Sequence, residues 1–221
     1  MRQLADGVHQ IALAPRDALN TSLVGDVLVD AGTSQTAKRL LRNLAGRVVN
    51  AHALTHAHSD HAGGSRAVAD ALGVPVWAGA LDAADVESGH PAAAASFFQP
   101  LLRRLSPYPG APVARRLREA DEIGHGFTVL ETPGHSAGHV AFWRERDRVL
   151  IAGDVFFNLH LSTLRPGLRE PPNALTIDPE RNRASARRLA ELEPELVLFG
   201  HGPPLRDAAK LRAFTASMPA G

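Results

Sequence analysis

The sequence predicts an α/β fold built from two similar strand-and-helix halves that face one site. Three observations carry this. Short apolar segments alternate with segments of helical period along the chain. Several apolar segments end at a glycine beside a histidine or aspartate, where ligand sites collect in sheet proteins. The halves also echo each other: residues 26–32 (DVLVDAG) resemble 148–154 (RVLIAGD), and 55–58 (THAH) resemble 132–135 (TPGH).

Val8, Ile11 and Leu13 mark a first strand, and residues 21–24 a second. Residues 26–30 form a short apolar strand running into Ala31-Gly32-Thr33. A helix follows, because Ala37, Leu40, Leu41 and Leu44 recur at i, i+3, i+4 and i+7, with Ser34 as its cap and Gly46 as its end. Residues 48–54 read as the next strand, which delivers the chain into Thr55-His56-Ala57-His58-Ser59-Asp60-His61. Gly63-Gly64 opens a helix through Leu72, and residues 74–77 return as a strand.

Residues 80–112 break this grammar. Prolines 91, 100, 107, 109 and 112 separate Phe97, Phe98, Leu101 and Leu102, which reads as an inserted helical cap too short to be a domain. Strands resume at 113–117, 127–131, 139–143 and 149–152. A proline-rich loop fills 155–177. Asp178-Pro179 starts a helix to about Leu192, with proline at the first helical position. Residues 196–199 make a last strand, and a terminal helix starts at Asp207. Residues 1–221 thus read as one domain carrying an insertion.

Composition excludes several functions. Lys plus Arg is 24 and Asp plus Glu is 23, so there is no basic excess of the kind a nucleic-acid binder carries. Cysteine is absent, which excludes disulfides, iron–sulfur clusters, thiolate zinc sites and cysteine nucleophiles, and fits the cytosol. No apolar run reaches membrane-spanning length, and Asp6 and His9 interrupt the N-terminal stretch, which does not read as a secretory signal. The expectation is a cytoplasmic protein acting on a small molecule, without nucleic-acid or membrane partners.

The histidines decide the chemistry. His56, His58, Asp60 and His61 bring metal-type ligands together within six residues. Side chains two apart on extended backbone point the same way, so His56 and His58 can share one ion. Asp60 and His61, where the chain turns into the next helix, can reach a second. A histidine-rich turn is the bland alternative, but His135, Asp154 and His201 repeat the logic, each just past a predicted strand and beside glycine. Imidazoles and carboxylates without thiolate suit zinc, with iron or manganese as alternatives. Two such ions close together lower the pKa of a shared water towards neutrality.

These motifs resemble those of the metallo-β-lactamase fold superfamily, and most closely its glyoxalase II-like hydrolases. The resemblance spans residues 8–204. It implies an αββα sandwich of two mixed sheets flanked by helices, with two Zn2+ ions at the sheet edge. It further implies that His56, His58 and His135 hold the first ion, that Asp60, His61 and His201 hold the second, and that Asp154 bridges both. A metal-bridging hydroxide oriented by Asp60 would then attack an ester, thioester or lactone carbonyl. Asp30 matches an aspartate that hydrogen-bonds a ligand histidine in the family, or is a simple turn residue. His139 reads as structural; His9, His52, His90 and His125 read as surface or loop residues. Phe97, Phe98, Phe156, Phe157 and His160 are candidates for the substrate pocket.

Departures from the family pattern narrow the expectation. Glyoxalase II carries a glycine-rich loop after the bridging aspartate and a C-terminal helical domain; here residues 155–160 read VFFNLH and the chain ends soon after His201. Class B1 β-lactamases need a cysteine ligand, and class B3 enzymes lack the bridging aspartate. Lactonases of the family often place tyrosine where Phe157 stands. A dinuclear metal-dependent hydrolase therefore leads. The alternatives are a mononuclear iron sulfur dioxygenase using His56, His135 and Asp154, and a metal-binding protein without turnover.

Overall fold

Strand pairing sorts the apolar segments into two large sheets in the computed structural model, which describes residues 1–92 and 107–219. The first sheet takes its strands in chain order: β1 (Arg2–Ala5), β2 (Val8–Ala12), β3 (Asn20–Val24), β4 (Val27–Val29), β5 (Ala51–Ala53), β6 (Val76–Gly79) and β7 (Val113–Leu117). Pairing is antiparallel from β1 to β4 and parallel from β4 to β7. The second sheet contains β8 (Glu122–Gly124), β9 (Phe127–Glu131), β10 (Val140–Arg144), β11 (Val149–Ile151) and, after a ribbon of β12 (Phe157–His160) and β13 (Arg165–Arg169), β14 (Leu196–Leu198). Its order is β14-β11-β10-β9-β8, with β11 and β14 parallel.

Helices cover the outer faces. On the first sheet, Leu40 and Leu44 of α1 (Ala37–Leu44) and Val68 of α3 (Ser65–Leu72) pack against Ile11, Leu23 and Leu28. The short α2 (Ser59–Ala62) precedes α3, and α4 (Ala83–Ser88) follows β6. On the second sheet, Ala186 and Leu189 of α5 (Pro179–Glu191) and Leu211 of α6 (Ala208–Ala216) pack against Leu150 and Val197. The inner faces meet in a third cluster that includes Val29, Ala53, Phe127, Val129, Phe142 and Ile151. These four layers are the expected αββα sandwich. No helix among the described residues is long and apolar enough to cross a membrane.

Several local expectations are corrected. Ser34 does not cap α1; Thr36 holds that position, and Ser34 Oγ donates instead to Gly63 O at 2.8 Å. The segment after Asp154 is not all loop: buried Phe157 and Leu159 pair with β13. Of the predicted cap, α4 is described, whereas Phe97 and Phe98 lie outside the described residues. The edge strands β1 and β8 escaped the sequence reading. Both are short, and β1 is half exposed, so neither shows a clean apolar alternation.

His52 is not a surface residue. It is fully buried in β5, where its Nδ1 faces Leu28 O at 3.2 Å and its Nε2 faces Ser65 Oγ at 2.9 Å. One proton, on Nδ1, satisfies both contacts: the ring donates to the carbonyl and accepts from the hydroxyl. Burial pushes its pKa down to about 4. The native state therefore holds His52 neutral where the unfolded chain would protonate it. Its contribution is fully present above pH 6.5 and is lost as pH falls towards 4, by about 3 kcal/mol in all. Urea unfolding at pH 7 and pH 4 checks this: His52→Gln should show a smaller acid loss than the parent by about that amount.

Candidate metal centre

Five of the seven candidate ligands follow the end of a strand, and the other two lie in the short helix after β5. His56 and His58 follow β5, His135 follows β9, Asp154 follows β11 and His201 follows β14, while Asp60 and His61 lie in α2. The sandwich brings these ends to one edge. His56 Nε2 lies 3.1 Å from His58 Nδ1, which lies 3.0 Å from His135 Nε2. Beside this trio, Asp60 Oδ2 lies 3.2 Å from His201 Nε2 and 4.0 Å from His61 Nε2. Asp154 Oδ2 stands between the groups. It lies 3.3 Å from the Nε2 of both His61 and His201, 3.5 Å from that of His135 and 3.9 Å from that of His56.

In His56, His61, His135 and His201 the opposite ring nitrogen is already engaged, which fixes the tautomer. His61 Nδ1–H donates to Asp30 Oδ2 at 2.8 Å, and His201 Nδ1–H to Ala18 O at 2.7 Å. His135 Nδ1 faces Thr176 Oγ1 at 3.2 Å, and the threonine hydroxyl donates onward to Pro172 O. His56 Nδ1 faces Thr55 Oγ1 at 3.0 Å; that hydroxyl donates to Asp30, which also accepts from Thr55 N–H. Asp30 thus touches both halves of the centre, in a left-handed conformation at φ 63°. His139 packs beside the cluster with both ring nitrogens occupied elsewhere: its Nε2 accepts from Asp154 N–H at 3.1 Å and its Nδ1 meets Thr132 Oγ1 at 2.8 Å.

The donor set fits two cations. His58 Nδ1 lies 3.1 Å from His56 Nε2 and 3.0 Å from His135 Nε2, and the His56 and His135 rings carry their protons on Nδ1, so each turns a lone pair into the cluster. His61 Nε2 and Asp154 Oδ1 are buried without a hydrogen-bond partner. Buried polar atoms are almost always paired, so such orphans mark a missing partner. The charge argument agrees. Burial lowers the pKa of His56 and His135, leaving them as neutral donors. Burial would do the same at His201, but Asp154 and Asp60 overcome it and raise its pKa to about 10. His61 is raised in the same way, by Asp154, Asp30 and Asp60. Buried carboxylates here demand positive charge, which protons or metal ions supply.

A cavity of about 330 Å3 opens onto Asp60, His58, His135, Asp154 and His201. Its walls include Leu19, Pro91, Phe157, Leu161, Ala174 and Leu175. Phe157 is therefore where a pocket residue was expected, with its ring 4.5 Å from that of His201. Phe156 is not: it is fully buried behind the site and packs on Phe199. His160 also lies off the lining and bonds Ser162 Oγ at 2.9 Å. Leu161 and Leu175 went unseen in the sequence, although an apolar residue inside a turn is the signal that would have found them.

The metallo-β-lactamase superfamily model matches residues 15–201. This chain belongs to that superfamily. A probable metallo-hydrolase of Bacillus subtilis, YflN, is 28% identical over 92% of this chain and 86% of its own. A hydroxyacylglutathione hydrolase of Bdellovibrio bacteriovorus is 29% identical over 66% of this chain and 46% of its own length. The solved structure of TTHA1623 in a di-iron-bound form is 34% identical, with a TM-score of 0.69 over 94% of this chain and 98% of that one. Family membership supports a metal-dependent hydrolase, and the histidine–aspartate cluster is of the type that holds divalent metal ions.

Proposed function

We propose that the protein is a dinuclear hydrolase of neutral, apolar-tailed carbonyl compounds: esters, thioesters or lactones. The observation that carries the proposal is Asp154 Oδ2, which lies within 3.9 Å of ring nitrogens from both groups. His56, His58 and His135 would hold one ion, Asp60, His61 and His201 the other, and Asp154 would join them. Zinc suits this set, with iron or manganese as alternatives. Bound there, the pair supplies a nucleophile generated from water near neutral pH and a Lewis acid for the carbonyl oxygen.

The chain's own residues do the rest. Asp60 lines the cavity. Although burial opposes it, His61 and His201 hold its carboxyl well below the usual carboxylate range, so it stays ionised. As an acceptor it orients the attacking water towards the substrate. Leu19, Phe157, Leu161 and Leu175 exclude solvent and bind the apolar part of the acyl group. Among the described lining residues there is no lysine or arginine.

The test combines metal analysis with a panel of acetyl, butyryl and octanoyl p-nitrophenyl esters, a thioester series and acyl lactones. Two metal ions per chain and metal-dependent hydrolysis are expected. A ceiling of one ion at saturating zinc overturns the dinuclear reading. Leu161 and Leu175 are about 40% exposed, so their truncation should leave the fold intact. With about 0.8 kcal/mol per buried CH2, Leu161→Ala plus Leu175→Ala should lower kcat/KM for the octanoyl ester roughly 10-fold more than for the acetyl ester. Equal losses on both esters would remove the acyl-chain role of this wall.

A further inference from the structure

Asp82 stands at the N-terminal cap position of α4, yet its side chain makes no cap there. An aspartate at a helix start ordinarily accepts from its own helix's amides. This one reaches across the molecule instead. Its Oδ2 accepts from Ala57 N–H at 3.1 Å and from Ser136 Oγ–H at 2.5 Å, and its Oδ1 accepts from Gly138 N–H at 2.6 Å. Asp82 is 1% exposed, so these donors replace its solvent entirely. The fit is close on all sides: a Cβ on Gly138 would lie 2.3 Å from Asp82 N, and one on Gly79 would lie 1.9 Å from Gly138 O.

What Asp82 grips gives the contacts their meaning. Ala57 is the residue between His56 and His58, and Ser136 directly follows His135. One carboxylate therefore sets the spacing between the His56–His58 turn and the His135 turn. The other backbone group of Ala57 is held too: Tyr108 Oη–H, buried, donates to Ala57 O at 2.8 Å. Asp82 and Tyr108 lie near opposite ends of the insertion and hold the two peptide groups that flank the Ala57 Cα. Asp60, His61 and His201 have no contact with either. Their ties run to Asp30 and to Ala18.

We infer that Asp82, assisted by Tyr108, is a positioning residue that preforms the His56–His58–His135 half of the metal centre. The insertion thus acts on the centre from behind, through its two ends. This rests on the dinuclear reading above. Asp82 and Tyr108 thus support the His56–His58–His135 half alone, whereas Asp154 and Asp30 serve both halves, Asp30 reaching His61 directly and His56 through Thr55.

The test isolates each half and uses Zn2+ with a chromophoric chelator as competitor. In a His201→Ala background the tighter remaining ion reports the His56–His58–His135 half. In a His58→Ala background it reports the other half. Asp82→Asn keeps the size but sets an NH2 group against a backbone N–H, either that of Gly138 or that of Ala57. It should weaken zinc about 10- to 100-fold in the first background and less than about threefold in the second. Tyr108→Phe removes a single oxygen and should weaken the same half about threefold or more. Equal weakening in both backgrounds would make Asp82 a brace of the whole fold and overturn the inference, as would unchanged affinity in the first. Should Asp82→Asn not fold, Tyr108→Phe decides by the same criterion. Failure of the parent protein to bind two zinc ions would instead count against the dinuclear reading, and is seen before any variant is made.

Discussion

Asp154→Ala should disable both halves of the centre at once. Its Oδ2 is the atom that approaches His56, His135, His61 and His201 together, and its side chain is 3% exposed. Removing it leaves a cavity where both ions need a shared anionic ligand. It also removes the charge that chiefly raises the His61 and His201 pKa values against burial. Two bound ions should fall to one weakly held ion or none, and kcat/KM should drop by at least about 10^3-fold, equivalent to roughly 4 kcal/mol of transition-state stabilisation. His201→Ala is the control. It deletes one ligand from one group, so one ion should persist at near-parental affinity. Elemental analysis and ester hydrolysis on both variants check this. Two tightly bound ions and full activity in Asp154→Ala would end its assignment as the bridge.

How much of this was legible depends on range. His56, His58, Asp60 and His61 are neighbours in sequence, and His135, Asp154 and His201 each close an apolar segment, so local pattern was enough to nominate them. Their supports follow no local pattern. Thr176, Ala18 and Asp82 reach the centre from a loop, a turn and a helix start, 41, 183 and 25 residues from the partners they hold. Hydrogen-bond partners at such distances are set by packing of the two sheets, which no short window of sequence contains. His52 is a different case. It lies in Ala51-His52-Ala53-Leu54, and its parallel strand is covered on both faces. A polar residue inside a run of that kind is buried and needs partners. That signal is local and lies in the four residues themselves.

Gly200→Ala should be as damaging as the loss of a ligand, although glycine carries no donor. A Cβ at position 200 would lie 2.2 Å from Asp154 Oδ1, 2.4 Å from His61 Cε1 and 3.1 Å from His61 Nε2. Real Cβ contacts do not occur at the first two distances, so either the backbone or the ligands must move. The backbone is held from both sides. Gly200 N–H donates to Gly153 O at 3.1 Å, and Gly200 O accepts from Asn20 N–H at 2.9 Å. Asn20 Nδ2 also donates to the carbonyls of Phe199 and Gly202, which brackets the His201 turn. The ligands yield instead: His61 and Asp154 are displaced by one methyl group aimed into the metal centre rather than into the core. Far-UV circular dichroism should be unchanged and thermal stability of the metal-free protein nearly so. Zinc affinity should fall at least about 10- to 100-fold, the range seen when contacts supporting a ligand are lost, with a parallel loss of hydrolysis. Metal titration of the purified variant reads this directly. Parental zinc affinity in a folded Gly200→Ala protein would mean that neither His61 nor Asp154 needs its present position to hold metal, and would remove both from the ligand set.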